Sequence, residues 1–389
     1  MPMLFGKGER DNRSRVRIGI NAHLLSGELS YRRAGIHNYM AQVLNHLPLV
    51  ADDCTYSIFS RHATALSSRP GFEIHRSHWP TERRLARILW EQIAWPVMAS
   101  RQDLDLVHGM AFATPLLTRK PSVVTVFDLS FIYFPERYPR LQRQYLRVQT
   151  ARSCANARRV ITISASGKQD VHSYFDIPLE QIDVVVPGVD PIYRPLPPEQ
   201  VQDFRTLKGI QEQIILHVGT LQPRKNISQL LEAMVMLDVG DCQLVLVGGK
   251  GWYYDEIFAR VVDLGLENRI RFTGYVPDAE LPLWYNAASM LVFPSVYEGF
   301  GLPIVEAMAC GTPVVAANSS SIPEAGGPAA LYYKPDDVDE MVEYMTLILE
   351  DIEKAADLRE KGLEHAQQFS WQRAGQDTAE VYKKALRLK

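Results

Sequence analysis

Residues 288–331, ASMLVFPSVYEGFGLPIVEAMACGTPVVAANSSSIPEAGGPAAL, leave this chain little choice of fold. The apolar run Met290–Phe293 has the length of a buried strand, and Pro294 and Ser295 end it. A loop with Gly299 and Gly301 follows. Pro303 then opens a helix, because the first helical turn has N–H groups without partners and tolerates a residue that lacks one. Gly311 and Pro313 stop the helix, and Val314 and Val315 begin another strand. Strand, glycine loop, helix and strand make a parallel unit, with a pocket expected at the carboxyl edge of the first strand.

Glu298 lies in the loop of this unit, and Glu306 lies eight residues on, inside the helix. Amides and the helix dipole favour phosphate oxygens, while carboxylates accept from sugar hydroxyls. Two acids beside one helix start therefore suit a ligand with both groups. Taken singly, Glu298 reads as a helix cap and Glu306 as a solvated helix residue.

The segment EGFGLPIVEAMACGTPVVA resembles the E-x7-E signature of the retaining GT-B glycosyltransferases of family GT4. The likeness extends through PSVYEGFGLP and SSIPEAGGPAAL, about forty consecutive residues. It implies that Glu298 contacts the transferred sugar and Glu306 the ribose hydroxyls of the donor nucleotide. It also implies Gly299, Phe300, Gly301 and Leu302 as donor contacts. The stretch IILHVGTLQPRKN reads as a strand, a glycine exit and a basic loop, with a helix from Asn226. Gly219, Arg224, Lys225 and Asn226 then sit where a phosphate meets a helix start. The two adjacent cations are similar to the Arg and Lys that hold the donor diphosphate in this family. A strand at 244–247 exits at Gly248, and a strand at 270–272 is followed by Tyr275 and Val276, which the resemblance places on the nucleotide base. Pro277 and Asp278 begin a short helix, the chain is helical from Met341, and a last helix spans 371–388.

The N-terminal half repeats the strand–helix alternation. VRIGIN is a strand, and Gly35 opens a helix running to Leu47; by resemblance Gly35 faces the donor phosphate. Strands follow at 55–60 and 72–75. Over 82–98 a helix places Leu85, Ile88, Leu89 and Ile93 on one face, flanked by Trp90 and Trp95, with arginines at its start. That face is expected in the core, with a membrane-surface helix as the alternative. A strand at 104–107 ends in His108, where several GT4 enzymes carry a histidine near the transferred sugar; a buried structural histidine is the competing reading. Asp103 and Asp105 form a D-x-D, but at the strand's entry edge, away from ligands. The strand 121–127 leads to Asp128, a candidate at the acceptor cleft or a turn cap, and Phe127 stands where many relatives of that family have histidine. Residues 137–159 read as one helix with Arg137, Arg140, Arg143 and Arg147 along a face, a solvated basic stripe by default. Nothing resembles a nucleic-acid-binding motif. Ser164, at a strand exit, is a candidate for lining the cleft, and VVVPGVDPIYRPLPP over 184–198 reads as an interdomain hinge.

Residues 1–196 carry 25 Lys and Arg against 17 Asp and Glu, the remainder 17 against 28. A basic half joined to an acidic half suggests either an anionic partner, such as a membrane surface or phosphorylated acceptor, or attraction across a cleft. The charged N-terminus lacks the apolar core of a signal peptide, no apolar run spans a bilayer, and four scattered cysteines fit a reducing cytoplasm. The expected fold is therefore α/β of GT-B type: two doubly wound Rossmann-like domains facing across a cleft. Residues 1–196 form the acceptor domain, 197–370 the nucleotide-sugar domain, and 371–389 a helix returning to the first. The expected activity is retaining transfer of a mannose- or glucose-type hexose from a GDP-mannose- or UDP-glucose-type donor to a glycan, lipid-linked or small-molecule acceptor. No metal is required, because fixed cations supply the positive charge, and a peripheral contact with an anionic membrane at its inner face is anticipated. A nucleotide-sugar epimerase and an inactive nucleotide-sugar- or glycan-binding protein are the alternatives.

Overall fold

Uninterrupted apolar strands need cover on both faces, and the chain supplies it by alternating strand with helix through two parallel sheets. The computed structural model describes residues 15–25, 35–50, 54–61, 71–81, 84–249, 251 and 254–387. The first sheet holds β1 (Val16–Asn21), β2 (Cys54–Ser60), β3 (Phe72–Arg76), β4 (Leu106–Gly109), β5 (Ser122–Val126), β6 (Arg159–Thr162) and β7 (Ile182–Val184), in the order β3-β2-β1-β4-β5-β6-β7. The second holds β8 (Gln213–Val218), β9 (Cys242–Val247), β10 (Ile270–Gly274), β11 (Met290–Phe293), β12 (Val314–Ala317) and β13 (Ala330–Tyr333), in the order β10-β9-β8-β11-β12-β13.

Each sheet begins at its centre, grows to one edge, and then returns to the other side of its first strand. The reversals fall between β1 and β4 and between β8 and β11. Crevices open at such switch points, beyond the carboxyl ends of the strands. This is the doubly wound GT-B architecture.

The last helix, Trp371–Leu386, follows the second sheet in sequence but packs on the first. Gly375 lets it approach the Ile36–Val50 helix, since a Cβ there would lie 3.0 Å from His46. Tyr382 hydrogen-bonds His108 on β4, and Arg158 donates to the Ala385 carbonyl.

Two helices differ from the sequence expectation. The stretch over 137–159 is not one helix: a 3-10 turn, Pro135–Arg137, precedes extended Tyr138, and the helix proper is Arg140–Asn156. Pro139 is the cause, because its ring drives the preceding residue out of the helical region. The segment 84–100 is helical throughout but widens into a π-turn at Trp90–Ala94. Trp90 and Trp95, five residues apart, are the buried pair and stack at 6.0 Å, whereas Leu85, Leu89 and Ile93 point outward and Ile88 is half-buried. The expected core face is thus an outer face.

Burial holds His108 and His217 neutral, pushing each down to about 3. The unfolded chain takes up these protons near pH 6.5, and the folded protein does so only near pH 3. Stability from this source is therefore complete above pH 6.5 and falls as the pH drops below it, by about 1 kcal/mol per histidine per pH unit. Burial raises the Glu91 and Glu306 carboxyls to about 7, which acts the other way over the same window. The histidine share is therefore read against a variant: the Tm advantage of the wild type over His217→Asn should shrink between pH 6.5 and 4, and an advantage that stays constant would contradict the buried neutral assignment.

Candidate active site between the two sheets

The loop after β8 reaches a 3-10 turn, Pro223–Lys225, ended by Asn226 in the left-handed region at φ 51°. Asparagine tolerates that conformation better than most residues. The turn aims Arg224 and Lys225 at the loop that follows β11. Arg224 Nη1 lies 2.5 Å from Glu298 Oε2, and Lys225 Nζ lies 2.6 Å from Glu298 Oε1. Arg224 Nη1 also donates to the Tyr297 carbonyl at 2.9 Å, and the Lys225 ammonium sits 4.7 Å from the Phe293 ring centroid.

Lys225 is buried, and Arg224 and Glu298 are largely shielded from solvent. Burial pushes the Glu298 carboxyl up, but Arg224 and Lys225 outweigh it and hold the group at about 2. Burial brings Lys225 down to about 8 despite Glu298, while Glu298 overcomes burial and raises Arg224. At neutral pH the trio carries one net positive charge.

The other end of the cavity is acidic. Glu306, on the helix Leu302–Ala309, accepts from the Tyr285 hydroxyl at 2.8 Å. Burial raises its carboxyl to about 7, the Tyr285 and Tyr193 hydroxyls oppose the rise, and Asp278 and Asp190 add to it. Between the two ends lies a cavity of about 690 Å³, lined from the second sheet by Gly219, Gly248, Tyr275, Val276 and the loop Gly299 to Leu302, and from the first by Gly35 and Asp128. Gly301, at φ 116°, starts the Leu302–Ala309 helix in a conformation that suits glycine.

The two halves are fastened around this cavity. A Cβ on Gly299 would lie 2.6 Å from the Phe127 carbonyl oxygen, so only glycine permits the approach. The Tyr297 hydroxyl accepts from the Leu129 N–H at 3.0 Å and donates to Asp170 at 2.8 Å. Glu324 accepts from the Ala165 and Ser166 N–H groups, at 2.6 and 2.7 Å, at the start of the Ala165–Phe175 helix.

Three sequence candidates lie elsewhere. His108 is not on the cavity: its Nδ1 pairs with the Tyr382 hydroxyl at 2.7 Å and its Nε2 with Thr125 at 2.9 Å. Ser164 is fully buried and caps the Ala165–Phe175 helix by accepting from the Gly167 N–H. Asn226 turns its amide to Gln229. Asp128 lines the cavity and also caps a turn, accepting from the Ser130 N–H at 2.8 Å. Conversely, sequence reasoning missed Tyr193, Tyr285, Asp278, Tyr297 and Glu324. Tyr297 and Glu324 stand within the segment that carried the inference, yet a lone Tyr or Glu signals no partner in the other half.

Family profiles match both halves: the family described as glycosyl transferases group 1 over residues 199–365, and glycosyltransferase family 4 over 34–192. The O-antigen chain mannosyltransferase B of Escherichia coli is 35% identical over 296 residues, which are 75% of this chain and 76% of that one. The O-antigen chain mannosyltransferase RfbU of Salmonella typhimurium is 31% identical over 258 residues, 65% of this chain and 69% of that one. Among solved structures, sucrose-phosphate synthase of Thermosynechococcus elongatus superposes with a TM-score of 0.77 at 22% identity, covering 96% of this chain and 100% of that one.

Replacing Glu298 by glutamine removes the charge that offsets two buried cations. Such unpairing costs about 3 kcal/mol, so Glu298→Gln should melt several degrees lower. Inorganic pyrophosphate should restore more of the lost Tm than it adds to the wild type. A variant as stable as the wild type, or indifferent to pyrophosphate, would show that the ion trio is not as described.

Proposed function

Because this chain belongs to the glycosyl transferases group 1 family, we propose that it transfers a hexose, of mannose type, from a nucleotide-diphosphate sugar to a glycan acceptor with retention at the anomeric carbon. One observation carries this reading: a single cavity with two cations at one end and a carboxylate held by tyrosines at the other. That polarity suits a diphosphate next to a ribose. The names of the O-antigen relatives favour mannose over glucose and a growing O-antigen-type chain as acceptor.

The task is departure of a nucleoside diphosphate from the anomeric carbon. The C–O bond to the leaving phosphate breaks, and negative charge collects on that phosphate. Arg224 and Lys225 stabilise it, together with the amides beyond Gly301. Fixed donors aimed at developing charge are usually the largest single contribution to catalysis, and with two cations in place no metal is required. The acceptor hydroxyl attacks the same face, and its proton passes to the departing phosphate oxygen. Glu298 accepts from a hydroxyl of the transferred sugar, and Glu306 from the ribose. A cytoplasmic enzyme, peripheral at the inner face of a membrane, goes with this reading.

Lys225→Ala and Arg224→Ala should each lower turnover about a hundredfold, the scale of losing one oxyanion donor. Activity within about twofold of wild type in steady-state assays would remove the assigned role. A thermal-shift screen against GDP-mannose, UDP-glucose and an ADP-sugar identifies the donor, since ligand bound only to the folded state raises Tm; GDP-mannose is expected to give the largest shift.

The Glu306 carboxyl titrates at about 7, and its charged form is the better acceptor for ribose hydroxyls. Nucleotide affinity should therefore rise about tenfold from pH 6 to pH 8. Glu306→Gln should bind more weakly and flatten the profile. Equal wild-type dissociation constants at both pH values would sink this assignment.

A further inference from the structure

The segment 84–100 presents an outward apolar ridge. Leu85 is 76% exposed, Leu89 48%, Ile93 58% and Val97 48%, each four residues after the last. On a regular α-helix residues four apart drift by about 40° per step. The wider π-turn at Trp90–Ala94 winds back part of that drift and keeps the four in line while Trp90 and Trp95 stay buried.

Positive charge surrounds the ridge. Glu91 is the one acid in the segment, and it is buried. The neighbouring helix Arg140–Asn156 holds four arginines, no acid, and Leu141 at 88% exposure. The β4–β5 loop beside them carries Leu117, Arg119 and Lys120, all exposed. These pieces adjoin: Gln92 and Gln149 both donate to the Thr114 carbonyl, and Gln92 accepts from the Leu116 N–H. By helical spacing Leu141 and Arg152 share the Gln149 side and flank the ridge, while Arg147 turns to the Tyr174 ring. Nor is the basic excess of the N-terminal half consumed across the cleft. Among the described residues the one Lys or Arg to Asp or Glu pair joining the halves is Lys384 with Asp183, whose cation comes from the acidic half.

We propose that this face docks on an anionic lipid bilayer, the ridge entering the interfacial layer and the arginines meeting lipid phosphates. Exposed leucines beside uncompensated arginines are the composition that binds such surfaces. A second copy of the chain is disfavoured, because two such basic faces repel. The helix Arg140–Asn156 begins just after Arg137, which bonds Gln222 at the cavity. Docking therefore sets the cavity close to the membrane, where a lipid-linked acceptor is carried. The purpose of the surface rests on the transferase reading; its test does not.

Cosedimentation of the full chain with phosphatidylcholine vesicles, with and without phosphatidylglycerol, decides the matter. Binding should be at least about tenfold stronger with phosphatidylglycerol and should weaken with added salt. The variant Leu85→Ser/Leu89→Ser/Ile93→Ser should lose about tenfold or more in binding while keeping its Tm and its donor-induced thermal shift. Arg119→Gln/Arg152→Gln should weaken binding by about fivefold per charge. Absence of binding to phosphatidylglycerol vesicles, undiminished binding by the triple serine variant, or a dimer that this variant abolishes would each overturn the proposal. Vesicle binding without any donor-induced shift would instead count against the transferase reading alone.

Discussion

A carboxylate closed between two cations, with little water around any of them, is the constraint on which the site depends. Glu298 comes from the loop after β11, and Arg224 and Lys225 from the turn after β8. Charges so buried persist only if each is paired. The trio therefore fixes the two loops against each other and needs β8 and β11 to be adjacent, which the reversal of strand order provides. The Phe293 ring under the ammonium belongs to the same arrangement, since it excludes water and offers its face to the cation. In the proposed reading, a diphosphate entering here meets cations that are already desolvated and aimed.

The second end of the cavity gives the ligand a direction. Glu306 shares its surroundings with Asp190 and Asp278, and Tyr193 and Tyr285 hold it. Several acids together would repel a phosphate and welcome hydroxyl donors. A nucleotide diphosphate laid the wrong way round would set its phosphates against carboxylates. In the proposed reading, orientation thus follows from charge placement before any contact with the base or sugar.

How much of this was legible in the sequence depends on how local each feature is. The unit around Glu298 and Glu306 lies in one contiguous stretch, and its glycines and prolines mark where each element starts. Arg224 and Lys225 were legible for the same reason. His108 was not: a strand end says that a ligand edge is near, but the ring's partners are Thr125 and a tyrosine 274 residues away. Ser164 was equally opaque, because a serine before a helix caps it as readily as it faces a cleft. The stripe on 84–100 shows a limit of periodicity, which reveals that a helix has an apolar face but not which way it points. Two tryptophans five residues apart were the one local sign that the buried side followed a wider turn.

Tyr297 and Glu298 are neighbours in sequence but serve opposite halves of the molecule. The tyrosine hydroxyl is held by Leu129 and Asp170 of the first half, while its carbonyl accepts from Arg224 of the second. Gly299 lies against the Phe127 carbonyl, and Glu324 fastens a helix start of the first half a short distance away. Every bond the first half makes to this loop is thus within two residues of the carboxylate that neutralises the cations. The charged trio itself lies wholly within the second half, and the first half braces the same loop from the other side. One short loop thus carries both the contact between the halves and the carboxylate that neutralises the cations.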